Sequence, residues 1–171
     1  MATSTAPLTG LKTDAIDLLT SDHRNVEKLF KQYEQLVDND GTYNQKEALA
    51  ATICAELTVH AQIEEEIFYP AARDILDEEE LVDEAVVEHA SAKDLIAQLA
   101  EMSPDDDLYD AKVKVLGELI EHHVEEEEEE MFPKLRKAKL DTASLGTQMV
   151  ERKQELVDEL DIGAEVVEDR E

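Results

Sequence analysis

Two eleven-residue stretches of this chain repeat the same chemistry. Residues 60–70 read His60-Ala61-Gln62-Ile63-Glu64-Glu65-Glu66-Ile67-Phe68-Tyr69-Pro70. They align without a gap with His123-Val124-Glu125-Glu126-Glu127-Glu128-Glu129-Glu130-Met131-Phe132-Pro133. On a helix, residues four apart share a face one turn apart. Each stretch therefore sets an imidazole beside a carboxylate, His60 with Glu64 and His123 with Glu127. Nitrogen and oxygen donors on one face are ligands for a first-row transition ion. Two more histidines, His23 and His89, are placed to meet them.

The elements that position these residues follow from hydrophobic period. Ile16, Leu19, His23, Val26, Phe30, Tyr33 and Val37 alternate steps of three and four, one helical stripe with a histidine inside it. Thr13 can cap this helix, and Asp38-Asn39-Asp40-Gly41-Thr42 ends it. A second helix from near Asn44 carries Leu49, Ile53, Leu57, His60, Glu64 and Ile67 on one face. A third carries Val82, Ala85, His89, Ala92, Ile96 and Leu99. The fourth, from about Asp106 to Lys139, carries Val113, Leu116, Ile120, His123, Glu127 and Met131. Pro70 and Pro133 are expected to kink their helices or start their fraying. The spacing predicts an all-α, up-down-up-down four-helix bundle over residues 13–140. An additional C-terminal helix, 141–160, packs on or beside it. Residues 1–12 read as a disordered leader and 161–171 as an acidic tail.

Antiparallel neighbours face each other at positions equidistant from their shared turn. About Gly41, His23 lies 18 residues before and His60 lies 19 after. About Ile75 the separations are 15 and 14, and about Asp106 they are 17 and 17. At about 1.5 Å per residue all four histidines fall at nearly one height. Helices two and four run parallel, so Glu64 and Glu127 meet about one turn, roughly 6 Å, further along. One histidine on an apolar face is ordinarily a satisfied core residue; four at one height, two with Glu at i+4, are not. Buried carboxylates need a compensating charge, and two metal ions supply it. Imidazole plus carboxylate suits iron best, then manganese or zinc.

The neighbouring acids Glu65, Glu66, Glu125, Glu128 and Glu129 read as solvated face, and His122 as surface or second shell. Cys54 reads as core. Phe30, Tyr33 and Phe68 read as packing, with the option of screening a gas-binding pocket.

Composition sets outer limits. Lys and Arg number 16 against 44 Asp and Glu, a formal charge of −28. That field repels phosphate backbones and anionic membrane surfaces, so no nucleic-acid or membrane partner is expected. One cysteine fits a reducing compartment, and no apolar run approaches the roughly 20 residues of a membrane span, which makes the cytoplasm the expected location.

With these residues in hand, the chain resembles the hemerythrin-like HHE cation-binding family over roughly residues 14–139. The match is His23, His60-x-x-x-Glu64, His89 and His123-x-x-x-Glu127. The resemblance implies an oxo- or hydroxo-bridged di-iron centre with His23, His60, His89 and His123 as terminal ligands and Glu64 and Glu127 as bridges. Oxygen-carrying hemerythrins have a fifth histidine where this chain has Lys93, and His-x-x-x-x-Asp where it has His-x-x-x-Glu. A missing imidazole leaves a coordination position open.

The expectation is a non-haem di-iron protein that binds or reacts with dioxygen, peroxide or nitric oxide. Catalase-like decomposition of peroxide is its enzymatic form. The alternative is an iron- or redox-responsive regulatory or iron-storage module without turnover, with the C-terminal segment as a surface for a protein partner.

Overall fold

The computed structural model describes residues 13–168, with side chains through Leu160. The expected leader, 1–12, and residues 169–171 lie outside the described residues. Helix α1 spans Ala15–Asp38, capped by Asp14, whose side chain accepts from Asp17 N–H. The cap is thus one residue past Thr13, because the carboxylate reaches the first-turn donor. Helix α2, Tyr43–Ile63, starts with a reciprocal capping box between Thr42 and Gln45. It runs through a π-turn, Glu64–Phe68, into α3, Tyr69–Ile75. Helix α4 spans Glu79–Ala100. Helix α5, Tyr109–Glu126, runs through a second π-turn, Glu127–Met131, into α6, Phe132–Lys137. Helix α7 spans Thr142–Glu168 and extends past Leu160, where hydrophobic period placed its end.

The prolines do not break their helices. Pro70 and Pro133 each sit in the first turn after a π-turn. Tyr69 N–H bonds Glu64 C=O, and Phe132 N–H bonds Glu127 C=O, five residues back instead of four. A π-turn absorbs the missing proline donor and the ring's bulk while the rod continues. Both π-turns begin on the glutamate of the repeated motif.

Helices α1, α2, α4 and α5 pack in a ring, and α7 lies on α1, α2 and the first π-turn. The core has two apolar clusters. One holds Leu19, Ile63, Phe68, Phe132, Met149 and Leu156 among others, and the second holds Val26, Ile53, Leu57, Leu99 and Leu116. The histidines fall between them. Met149 and Leu156 come from α7, so that helix finishes the first cluster. Among the described residues, no helix is long and apolar enough to cross a membrane.

Docking of α7 depends on one close approach. A Cβ built on Gly146 would lie 1.7 Å from the backbone oxygen of Thr13. Backbone cannot yield as a flexible side chain does. Gly146→Ala is expected to destabilise the protein by about 1–3 kcal/mol, read as a lower thermal midpoint with the four-helix ring still helical.

Candidate metal centre

The six residues singled out in the sequence converge. His23, His60, His89 and His123 are 3–8% exposed, Glu64 is 0% and Glu127 is 1% exposed. The rings form two pairs, His23 with His60 and His89 with His123, with centroids 5.0 and 4.8 Å apart. The carboxylates link the pairs crosswise. Glu64 Oε1 lies 2.9 Å from His60 Nε2 and 3.4 Å from His89 Nε2. Glu127 Oε1 lies 3.0 Å from His123 Nε2 and 3.4 Å from His23 Nε2. Each carboxylate therefore touches one imidazole of each pair.

These short distances are not aligned hydrogen bonds. His23 Nε2, His60 Nε2, both Glu64 oxygens and Glu127 Oε1 are buried without a hydrogen-bond partner. Buried polar atoms normally have one. Two trios, His23/His60/Glu127 and Glu64/His89/His123, each bring three donor atoms within 4.8 Å of one another. Cations at these trios would use the lone pairs that hydrogen bonding leaves idle, and the nitrogen and oxygen donors fit iron, manganese or zinc.

Around them stands a shell that sequence reasoning missed. Asp22 accepts from His60 Nδ1 and Glu88 from His123 Nδ1, both at 3.0 Å. Glu128 lies 3.0 Å from His23 Nδ1, and Glu65 3.6 Å from His89 Nδ1. Carboxylates at Nδ1 turn every Nε2 toward the centre and raise its basicity, as in carboxylate–histidine–metal triads. Three of the four are themselves paired with a full cation: Asp22 with Lys153, Glu65 with Lys93, and Glu128 with Arg24. Glu65 and Glu128, expected to be solvated face, are half-buried supports. Glu66, Glu125 and Glu129 are exposed as expected. His122 is exposed, its side chain at 62%. Lys93 stays outside the centre, its ammonium 2.6 Å from Glu65.

Tyr69 was also missed. Its hydroxyl donates to Glu127 Oε2 at 3.2 Å and lies 3.2 Å from His89 Nε2 and 3.4 Å from His123 Nε2. At five residues past Glu64, α-helical period places it about 140° off the ligand face. The π-turn brings it back. The matching residue of the second repeat, Phe132, stacks on His23 with planes 3° from parallel. Of the residues considered as screens, Tyr33 is tied to Asp110 at 2.7 Å and Phe68 lies in the core. Cys54 packs beside the second apolar cluster, where burial pushes its thiol up to about 11.

The profile of the Hemerythrin HHE cation binding domain matches residues 14–135, so the chain belongs to that family of cation-binding helical domains. A relative described as a DNA nickase, from Nostoc sp. (strain PCC 7120), is 32% identical over 123 residues. The match covers 70% of this chain and 33% of that protein, so this chain spans about a third of that relative's length. The fold is shared with the crystal structure of a hemerythrin HHE cation binding domain-containing protein from Mycobacterium kansasii. The TM-score is 0.67 at 24% identity, covering 84% of this chain and 87% of that one.

A metal at these trios would compete with protons for the same nitrogens. Burial opposes charge on His60, but Glu64 and Asp22 outweigh it and lift its pKa to about 10. Burial likewise opposes charge on His123, while Glu127 and Glu88 lift it to about 11. Both folded values exceed the ordinary 6.5. Their contribution to the metal-free fold is therefore complete below about pH 6.5 and is lost as pH rises through 10–11. Metal binding through both rings near neutrality would expel both protons. Apparent affinity is expected to rise about tenfold per pH unit for each ion, and about a hundredfold for the two together, between pH 6.5 and 9, measured by chelator competition; a flat profile would count against these imidazoles as ligands.

Proposed function

We propose that this chain is a non-haem di-iron protein that binds or reacts with dioxygen, peroxide or nitric oxide. His23, His60, His89 and His123 would hold the two ions and Glu64 and Glu127 would bridge them. The crosswise contact of each buried glutamate with one imidazole of each pair carries this reading. A bridging carboxylate must reach both ion positions, and a carboxylate serving one alone would touch only its own pair.

Iron, when bound, supplies one-electron redox chemistry and open coordination positions. The protein's part is placement and exclusion. On the side of the histidine layer away from the glutamates lies a cavity of about 30 Å³. Beside the four imidazoles its walls are mainly apolar, including Val26, Leu57, Ala92, Ile96, Ile120 and Val124, with Asp22, Thr58 and Lys93 also in the lining. Space of that size admits one small molecule. At the other side, the Tyr69 hydroxyl keeps a proton, because burial and then the Glu127 and Glu64 carboxylates hold its pKa well above the ordinary phenol value. It is a hydrogen-bond donor beside the His89/His123 pair.

Metal analysis of aerobically purified protein is expected to find two irons per chain. His60→Ala and Glu127→Ala should each hold fewer than one, and peroxide should release dioxygen from the wild type but not from either variant. Zinc or manganese in place of iron, or full peroxide activity in those variants, would overturn the iron assignment or the site respectively.

A regulatory reading has one observation in its favour. Lys153 on α7 bonds Asp22 at 2.6 Å, and Asp22 bonds His60. A change of charge at His60 is thereby felt on the C-terminal helix. On this reading iron loading slows amide hydrogen exchange around residue 153, and identical exchange in the loaded and metal-free protein would remove it.

A further inference from the structure

A second donor set lies one residue out of step with the first. Glu88, His122 and Glu126 immediately precede His89, His123 and Glu127. Their ligand atoms, one from each residue, all lie within 4.8 Å of one another. His122 Nε2 is 3.2 Å from Glu126 Oε1 and 3.7 Å from Glu88 Oε2. His122 and Glu126 keep the His-x-x-x-Glu spacing, turned about 100° to the outer face of α5.

The two halves of the duplicated hairpin differ here. In the first half the positions matching His122 and Glu126 are Val59 and Ile63, buried in the cluster that Met149 and Leu156 of α7 complete. Among the described residues nothing comparable covers the second half, and His122 is exposed. The position matching Glu88 is Asp22. Asp22 uses one oxygen for His60 Nδ1 at 3.0 Å and the other for the Lys153 ammonium at 2.6 Å. Glu88 uses one oxygen for His123 Nδ1 at 3.0 Å, and the other faces His122. Among the described residues, no lysine or arginine pairs with it. Glu88 is thus the one supporting carboxylate without a full positive charge beside it.

We propose that a divalent cation takes the place at Glu88, His122 and Glu126 that the Lys153 ammonium takes at Asp22. One imidazole and two carboxylates suit zinc or manganese; the imidazole disfavours calcium, which takes all-oxygen sites. The surroundings help. Glu126 stands among the carboxylates of Glu88, Glu84 and Glu130, a crowding of negative charge that a cation relieves. Sharing Glu88 with His123 places this ion one side chain away from the buried centre.

The test uses the full-length, iron-loaded protein titrated with zinc by equilibrium dialysis, with iron counted in the same samples. Wild type is expected to bind one zinc per chain more than His122→Ala and Glu126→Gln, while all three keep the same iron content. Millimolar calcium should leave that zinc in place. Equal zinc in wild type and both variants, or none beyond the iron centre in any, would overturn the site. A failure of the buried centre would instead appear as missing iron.

Discussion

Two carboxylates lie buried inside this bundle, and much of the rest answers them. An isolated buried carboxylate costs several kcal/mol even after relaxation. Glu64 and Glu127 meet that cost with four imidazoles, which need their own support at Nδ1. Asp22, Glu65, Glu88 and Glu128 give it; Lys153, Lys93 and Arg24 in turn pair with Asp22, Glu65 and Glu128, and among the described residues Glu88 has no such cation. Two apolar clusters flank this layer and hold it in place.

Much of this was legible in the sequence. The four stripes and their turns fix height, and height plus direction selects His23, His60, His89, His123, Glu64 and Glu127. What periodicity could not show was which carboxylate serves which ring. Asp22 precedes His23 yet serves His60, and Glu128 follows Glu127 yet serves His23 across the bundle. Such pairings depend on the rotation of neighbouring helices, which hydrophobic period leaves free. Tyr69 escaped for another reason. Its place depends on a π-turn, and a reading at 3.6 residues per turn moves it off the face. Pro70 was the signal, since a proline inside a continuing helical pattern calls for a local change of hydrogen bonding.

Duplication gave the protein two near-equal halves, and the differences between them are informative. Tyr69 stands beside one pair of histidines and Phe132 beside the other. One outer face is apolar and covered by α7, whereas its counterpart is polar and open. The two ion positions of the proposed centre therefore sit in unlike surroundings, one with a phenol donor and one against an aromatic face.

The tie between Lys153 and Asp22 also bears on the order in which the molecule is made. Synthesis delivers the six central side chains by residue 127, but the ammonium that steadies Asp22, and through it His60, comes 26 residues later. At about 5–20 residues per second, that interval is on the order of seconds. During it the nascent bundle carries its inward donors with one support unfinished and its first apolar cluster open. The C-terminal helix, which supplies Lys153 to Asp22 and Met149 and Leu156 to the first cluster, is thus the last of these parts to be synthesised.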